Sequence, residues 1–226
     1  MFKGFTTETQ DFFWALAFNN ERSWFQAHKE EFETCVKTPF HALAKEILEG
    51  IAEMRKDIDW QVHITRIYRD ARRLFGRGPY KDHLWFSIKA SGTDHVTAPS
   101  FWFTIGREGY GFGMGVFQPT AADRERYRAA IDAEPALFER YAREFEQQEL
   151  FKMRGESYAR AKGDYEEPLK SWYNIKSFAM ACDSPYGSEL YDASLKDMIL
   201  EGYKTLMPYF DLFRKHITGV AEAIER

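Results

Sequence analysis

The sequence predicts an α+β fold in which an antiparallel sheet in the middle of the chain is packed by N-terminal and C-terminal helices. Apolar residues recur at helical spacing over roughly the first fifty residues and again over residues 195–224. Between residues 60 and 118 they alternate with a period of two. The connections between the alternating runs are short, which favours antiparallel pairing because parallel strands need long crossovers.

The N-terminal part is expected to form three helices. Thr6 or Thr7 can cap the first helix, and a second carries an apolar stripe over residues 24–36. Thr38 followed by Pro39 is the N-cap and first-turn signature of a third helix. We therefore interpret this part of the chain as helical packing units.

The middle of the chain is expected to form strands at residues 62–68, 84–90, 101–105 and 110–117. In the last of these, glycine occupies every second position from Gly109 to Gly115, so one face of the strand would be bare backbone. We expect another part of the protein to lie close against that face.

Residues 120–149 should be helical with a break before Pro135, and residues 150–174 should form a polar loop with a short strand at 150–153. A further strand is predicted at 174–181.

Length and composition predict a single domain over residues 1–226, with 44% hydrophobic and 29% charged residues. The net charge of −4 argues against general nucleic-acid binding. No apolar run is long enough to cross a membrane, and Glu8 and Asp11 interrupt the N-terminal apolar stretch. Cys35 and Cys182 have no zinc-site spacing, which favours a reducing compartment. A cytoplasmic location is therefore expected.

Residues 66–83 form an arginine segment in this acidic chain. Six basic residues against two acidic ones give it a local charge of +4. Guanidinium groups present planar forks of donors that match carboxylate or phosphate oxygens two at a time. We therefore expect a small anionic ligand to bind here through Arg66, Tyr68, Arg69, Asp70, Arg72, Tyr80 and Lys81, with Arg73 and Arg77 adding to the charge.

The chain resembles the Domain of Unknown Function 2461 family over most of its length. The resemblance rests on Phe12, Asn19-Asn20, Trp24-Phe25, Pro39, the run RIYRD at residues 66–70, Arg72 and the run PYK at residues 79–81. Where the family usually has an aromatic residue and an acidic residue, this chain has Arg73 and Gly76. The resemblance implies no particular activity, but it supports the choice of the arginine segment.

Three functions remain open from the sequence. The arginine segment could hold a small phosphorylated or carboxylated molecule, or it could dock an acidic protein or a nucleic-acid backbone. It could also be a purely structural network of ion pairs.

No cofactor is predicted, because the glycine run lacks the dinucleotide spacing. No metal is predicted, because His63, His83, His95 and Asp82 lack a metal-binding spacing. The sequence leaves catalysis and oligomeric state undetermined.

Overall fold

The computed structural model describes residues 1–70, 72 and 76–218. It contains a six-stranded antiparallel sheet with helices from both ends of the chain packed on it, which confirms the α+β prediction. The strands are β1 Trp60–Ile64, β2 His83–Ala90, β3 Ser100–Gly106, β4 Gly109–Val116, β5 Lys152–Ser157 and β6 Ile175–Ser184. Their order across the sheet is β1-β2-β3-β4-β6-β5.

Helices precede, interrupt and follow the strands along the chain. They are α1 Thr7–Phe18, α2 Arg22–Ala27, α3 Lys29–Glu31, a π-helical segment Phe32–Lys37, α4 Thr38–Met54, α5 Ala121–Ala133, α6 Pro135–Gln147, α7 Leu169–Tyr173, a 3₁₀ helix Ser188–Tyr191 and α8 Leu195–Ile217. No helix in the described part of the chain is both long enough and apolar enough to cross a membrane.

The third predicted helix, α4, begins at Thr38 as expected, but Thr38 does not cap it. The chain is helical without a break from α3 through the π-helical segment into α4. The backbone N–H and the hydroxyl of Thr38 both donate to the carbonyl of Glu33, the hydroxyl at 2.7 Å. Thr38 therefore closes a wide helical turn five residues long, and it does not cap a new helix.

Pro39 accounts for the irregular hydrogen bonding at this point. Proline has no N–H, so it cannot donate to the carbonyl four residues earlier, which belongs to Cys35. The hydroxyl of Thr9 donates to that carbonyl at 2.7 Å, and Thr9 is completely buried. A side chain of α1 thus satisfies the acceptor that the proline leaves open, and this bond ties α1 to the π-helical segment.

The glycines of β4 allow a close approach of β6, as the alternating pattern predicted. A Cβ added to Gly113 would lie 2.0 Å from the carbonyl oxygen of Met180, and one added to Gly115 would lie 2.5 Å from that of Phe178. Both distances are far shorter than any real Cβ contact. The neighbour expected on the bare face is therefore the backbone of the adjacent strand.

The second helical region matches its prediction, and the loop after it is more ordered than predicted. The Thr120 hydroxyl accepts the backbone N–H of Asp123 at 3.2 Å and caps α5, and Pro135 opens α6. The polar stretch 150–174 contains β5 and α7 besides its loops. At the C-terminus, α8 continues through Pro208 to Ile217, and the predicted apolar positions 220 and 224 lie outside the described residues.

The first strand is shorter than expected, because β1 ends at Ile64. Tyr68, which was predicted to lie in that strand, joins the strand region only through an isolated antiparallel bridge to Tyr80. The hydroxyl of Thr65 supports the change of path, since it donates to the carbonyl of Trp85 at 2.8 Å and accepts the N–H of Trp85 at 3.1 Å. Side-chain hydrogen bonds thus replace part of the regular ladder at this point.

The chain divides into two compact units, each with an aromatic core. One unit comprises Met1–Ile88, Trp102–Phe112 and Asp183–Glu201, and the other comprises Lys89–Phe101, Gly113–Cys182 and Gly202–Arg226. In the first unit, the ring of Phe86 lies 5.4 Å from that of Phe40 and 5.5 Å from that of Phe103. In the second, the rings of Phe178 and Phe213 lie 4.2 Å apart. A single domain over residues 1–226 stays a prediction.

Candidate functional site

The two halves of the arginine segment pair with each other in an antiparallel arrangement. The backbone N–H of Lys81 donates to the carbonyl of Ile67 at 2.8 Å, and that of Arg69 donates to the carbonyl of Pro79 at 2.8 Å. The residues between these pairs form the isolated bridge. This pairing fixes the backbone from which the predicted ligand-binding side chains project.

Asn20 anchors this paired segment to the end of α1. Its side-chain carbonyl oxygen accepts the backbone N–H of Tyr80 at 2.9 Å, and its amide nitrogen donates to the carbonyl of Tyr80 at 3.0 Å. The ring of Tyr80 stacks on Phe25 at 4.1 Å, and burial raises the pKa of its phenol. Gly78 leaves room for this contact, because a Cβ there would lie 2.3 Å from the Cγ of Asn20.

Arg69 and Lys81, two of the predicted ligand-binding residues, bind backbone carbonyls. The Nε of Arg69 donates to the carbonyl of Tyr80 at 2.7 Å, and its terminal nitrogen lies 3.8 Å from the carboxylate of Asp82. The ammonium of Lys81 donates to the carbonyl of Arg66 at 2.8 Å. Burial lowers the pKa of Lys81, and the charges of Arg69 and Arg66 lower it further. Positive charge is therefore crowded around this backbone.

Asp70 and Arg72 form an exposed pair with each other. The guanidinium of Arg72 donates to the carboxylate of Asp70 at 3.0 and 3.2 Å, and the Arg72 side chain is 89% exposed. Arg73 lies outside the described residues. Arg77 is exposed and has no hydrogen bond or ion pair to any residue that the structure describes. Neither Arg72 nor Arg77 lines the groove in which the remaining predicted residues, Arg66 and Tyr68, are found.

Arg66 and Tyr68 line a groove of about 300 Å³, which we call the Arg66 groove. The Tyr68 side chain is 48% exposed, and its ring lies 5.8 Å from that of Phe25. Apolar side chains from the helices and from the strand region form much of the lining: Phe25, Phe32, Ile64, Ile67 and Leu84. The groove therefore offers an apolar surface beside an arginine.

A row of charged and polar residues on the helices also lines the groove. Lys29, Glu33, Lys37 and His41 follow one another at intervals of four residues and all line the groove. The ammonium of Lys37 lies 2.7 Å from the carboxylate of Glu33. Partial desolvation and the charge of Lys37 lower the pKa of His41, although Glu33 opposes them. With His41 neutral, three cations and one carboxylate give the groove an excess of two positive charges.

The guanidinium of Arg66 has no carboxylate partner among the residues described by the structure. Arg66 nevertheless has a fixed backbone, because Lys81 binds its carbonyl. Arg66 is among the residues predicted from the sequence, whereas the row on the helices is not. The spacing of four was the signal that could have revealed this row, since residues at such intervals share one helix face.

A second cleft of about 480 Å³ lies beside β2 and β4 in the same unit. Nδ1 of His83 lies 2.9 Å from the carboxylate of Asp82 at its edge. Burial opposes ionisation of Asp82, but its hydrogen bonds and the charges of His83 and Arg69 outweigh burial and lower its pKa. In the described parts of the chain, no group of three or more His, Cys, Asp and Glu side chains could hold a metal ion.

Fold and site together define an α+β protein with a cationic, apolar-lined groove beside its sheet. The chain belongs to the family described as conserved hypothetical protein (DUF2461), whose model matches residues 8–212. This match confirms the family resemblance seen in the sequence. No curated protein matches the chain.

Proposed function

We propose that the protein binds a small anionic ligand, phosphorylated or carboxylated, in the Arg66 groove. The observation that carries the proposal is Arg66, an exposed residue that lines the groove and whose guanidinium has no described carboxylate partner. Lys29 and Lys37 line the same groove and add positive charge, and Glu33 offsets only part of it. An anion bound among these residues would reduce the mutual repulsion of the cations.

The proposal assigns different roles to the arginines of the segment. Arg66 would contact the ligand, and the exposed ring of Tyr68 would flank it. Arg69 binds the carbonyl of Tyr80, so its role is to hold the paired backbone. The structural alternative, which the sequence left open for the whole segment, is thereby assigned to Arg69. We now expect Arg69→Ala to destabilise the fold and Arg66→Ala to leave its stability within about 0.5 kcal/mol.

Thermal unfolding in the presence of anions tests the proposal. Inorganic phosphate, sugar phosphates and organic carboxylates are added in turn to the full chain. A ligand at 100 times its dissociation constant stabilises the folded state by about 2.7 kcal/mol. In a chain of this size that corresponds to a rise in Tm of about 5–10 °C. The Arg66→Ala variant should lose most of this shift.

Arg77→Ala is the matched control, because Arg77 carries the same charge in the same segment and does not line the groove. It should keep the stabilisation seen with the unmodified protein. If none of the anions stabilises the protein, or if both variants lose the effect equally, the Arg66 groove is not the binding site.

The docking alternative makes a separate prediction. Binding of an acidic protein or a nucleic-acid backbone would weaken linearly with the logarithm of salt concentration, and the slope would follow the number of phosphates contacted. Such binding would depend on the exposed Arg72 and Arg77 as well as on Arg66. The expected cytoplasmic location, the oligomeric state and any catalytic activity are separate from this test.

A further inference from the structure

We propose that a second anion site surrounds Tyr158 and binds a doubly charged phosphate group, either as inorganic phosphate or as the phosphate of a small monoester. The site shares no residue with the Arg66 groove, and it goes beyond the proposed function. Its residues, which we call the Tyr158 cluster, all belong to the second compact unit. They are Arg124 and Arg128 from α5, Tyr158 and Lys162 from the loop after β5, and Lys176 from β6.

Three cations converge on the ring of Tyr158. The guanidinium carbon of Arg128 lies 5.4 Å from the ring centroid, and the ammonium nitrogens of Lys162 and Lys176 lie 5.0 and 5.4 Å from it. Arg128 also donates to the Tyr158 hydroxyl at 3.3 Å. Three elements that are distant in the sequence thus bring positive charge to one ring.

Arg124 adds a fourth positive charge to this cluster. It lies one helical turn before Arg128 on α5, and it lines a small recess together with Lys176. Burial opposes ionisation of the Tyr158 phenol, but the hydrogen bond from Arg128 and the charges of Arg128 and Arg124 outweigh burial and lower its pKa. The hydroxyl of Tyr158 therefore lies in a field that favours negative charge.

None of these four cations has a carboxylate within ion-pair distance among the residues that the structure describes. Asp132, four residues after Arg128 on α5, instead accepts the hydroxyls of Tyr165 and Tyr173 at 2.8 and 3.1 Å. A tyrosine ring attracts cations but carries no net charge, so the ring does not neutralise them. An anion bound among the four cations would reduce their mutual repulsion.

The donors of the cluster suit a phosphate group. Such a group carries about −1.5 to −2 charges at neutral pH and presents three acceptor oxygens. Arg128 donates to Tyr158 alone, and the ammonium groups of Lys162 and Lys176 donate to no atom in the described part of the chain. The Tyr158 hydroxyl accepts from Arg128 and can donate its own hydrogen to a phosphate oxygen. A monoanion would leave most of the positive charge unbalanced.

Asn174 holds the loop residues of the cluster in place. Its backbone carbonyl accepts the N–H of Tyr158 at 2.9 Å, and its side-chain oxygen accepts the N–H of Lys162 at 2.7 Å. Asn174 is only 8% exposed, and its amide nitrogen donates to the carbonyl of Lys170 at 2.9 Å. The protein itself fixes this backbone, so ligand binding does not have to order it.

A small ligand fits the cluster better than a nucleic-acid backbone does. Nucleic-acid binding usually shows as a basic domain, whereas this chain has a net charge of −4. The exposed acidic residues Glu156 and Asp164 flank the loop in the sequence and would repel an extended polyanion. The positive charge is concentrated around one ring, which matches a single dianion.

Calorimetric titration of the full chain tests the proposal. Inorganic phosphate, glycerol phosphate, sulfate and acetate are titrated near neutral pH at constant ionic strength. The unmodified protein is compared with Arg66→Ala, in which the Arg66 groove should no longer contribute. In both proteins the dianions should bind at least about tenfold more tightly than acetate. Comparison of inorganic phosphate with glycerol phosphate distinguishes the free anion from the monoester.

Substitutions in the Arg66→Ala protein locate the binding. Arg128→Ala should weaken phosphate binding at least about tenfold, because it removes a charged donor. Tyr158→Phe keeps the ring and removes the hydroxyl, so it should weaken binding by about two- to tenfold. Arg140→Ala is the matched control, because Arg140 also lies over a tyrosine ring, 5.5 Å from the centroid of Tyr141, but pairs with Glu144 at 3.8 Å. It should leave binding unchanged.

The possible outcomes separate this proposal from the proposed function. If acetate binds as tightly as phosphate, or if Arg128→Ala and Arg140→Ala weaken binding equally, the Tyr158 cluster is not a phosphate site. If no dianion binds to the Arg66→Ala protein, the proposal is wrong, whereas the proposed function of the Arg66 groove is unaffected. If a DNA duplex binds through Arg128 and phosphate does not, the cluster belongs to a nucleic-acid surface and the small-ligand proposal is overturned.

Discussion

Replacement of Asn20 by alanine should destabilise the protein more than its position at the end of a helix suggests. The side-chain amide of Asn20 pairs with both backbone polar groups of Tyr80, at 2.9 and 3.0 Å, as a neighbouring strand would. Tyr80 is only 1% exposed, so water cannot readily replace the lost partner. The change therefore removes two hydrogen bonds from the backbone that pairs with the half of the segment containing Arg66 and Tyr68.

The loss of stability depends on which backbone groups of Tyr80 keep a hydrogen-bond partner after the substitution. The carbonyl of Tyr80 keeps the hydrogen bond from Arg69, whereas its N–H loses its partner. Two hydrogen bonds contribute about 0.5–1.5 kcal/mol each, and an unsatisfied buried group costs about 1–3 kcal/mol. Because these contributions overlap, we expect the free energy of unfolding to fall by about 2–4 kcal/mol. In a chain of this length, Tm should fall by about 5–15 °C.

Urea unfolding followed by circular dichroism measures this loss, and Asn19→Ala is its matched control. The neighbouring Asn19 donates one exposed hydrogen bond, to the carbonyl of Ala15 at 3.0 Å. Its replacement should change stability by no more than about 0.5 kcal/mol. Asn20→Asp keeps the acceptor for the N–H and should fall between the two. Equal stabilities of Asn19→Ala and Asn20→Ala would refute the assigned role of Asn20.

Three further predictions concern buried hydrogen bonding, close packing and acid stability. Thr9→Val should lower the free energy of unfolding by about 1–3 kcal/mol in urea titrations, because the carbonyl of Cys35 loses its donor. Thr34 is exposed, so Thr34→Val should change the free energy of unfolding little. Gly113→Ala should lower Tm sharply in calorimetry, since its Cβ would lie 2.0 Å from a carbonyl oxygen, and an unchanged Tm would contradict this packing. The pKa of Asp82 is below its ordinary 3.8, so its stabilising contribution is present above pH 3.8 and is lost as pH falls through the lower, folded-state pKa. Asp82→Asn should flatten that part of the stability profile, and identical profiles would count against the pairing of Asp82 with His83.

The predictions from sequence succeeded where one periodic pattern dominated. The alternation of apolar residues identified the β2, β3 and β4 regions, and the glycine pattern of β4 correctly indicated a close neighbour. The helix predicted after Thr38 is present as α4, but the N-cap role expected for Thr38 was wrong, because the chain is already helical before that residue. The local residues do not reveal this continuation, since the hydrogen bond to the carbonyl of Cys35 comes from Thr9, which lies far away in the sequence.

The site was harder to predict than the fold because charge composition does not specify a partner. In the sequence, the arginine segment forms one cluster. In the structure, however, Arg69 binds a backbone carbonyl and Arg72 binds Asp70. Only the folded structure separates these structural uses from Arg66, which lines the groove. Asn20 entered the sequence prediction only through the family resemblance, because nothing local shows that its amide would meet a backbone sixty residues later.

In the arginine segment, hydrogen bonds to the backbone hold the structural residues Lys81 and Arg69 close to Arg66, the proposed ligand-binding residue. Lys81 donates to the carbonyl of Arg66, and Arg69 donates to that of Tyr80, so two cations are held close to a third. Such crowding is unfavourable: burial lowers the pKa of Lys81 most, and the charges of Arg69 and Arg66 lower it further. Hydrogen bonds to carbonyls offset it for Lys81 and Arg69, whereas Arg66 has no described carboxylate to offset it. A bound anion would therefore be stabilised most at Arg66, and its binding should raise the pKa of Lys81.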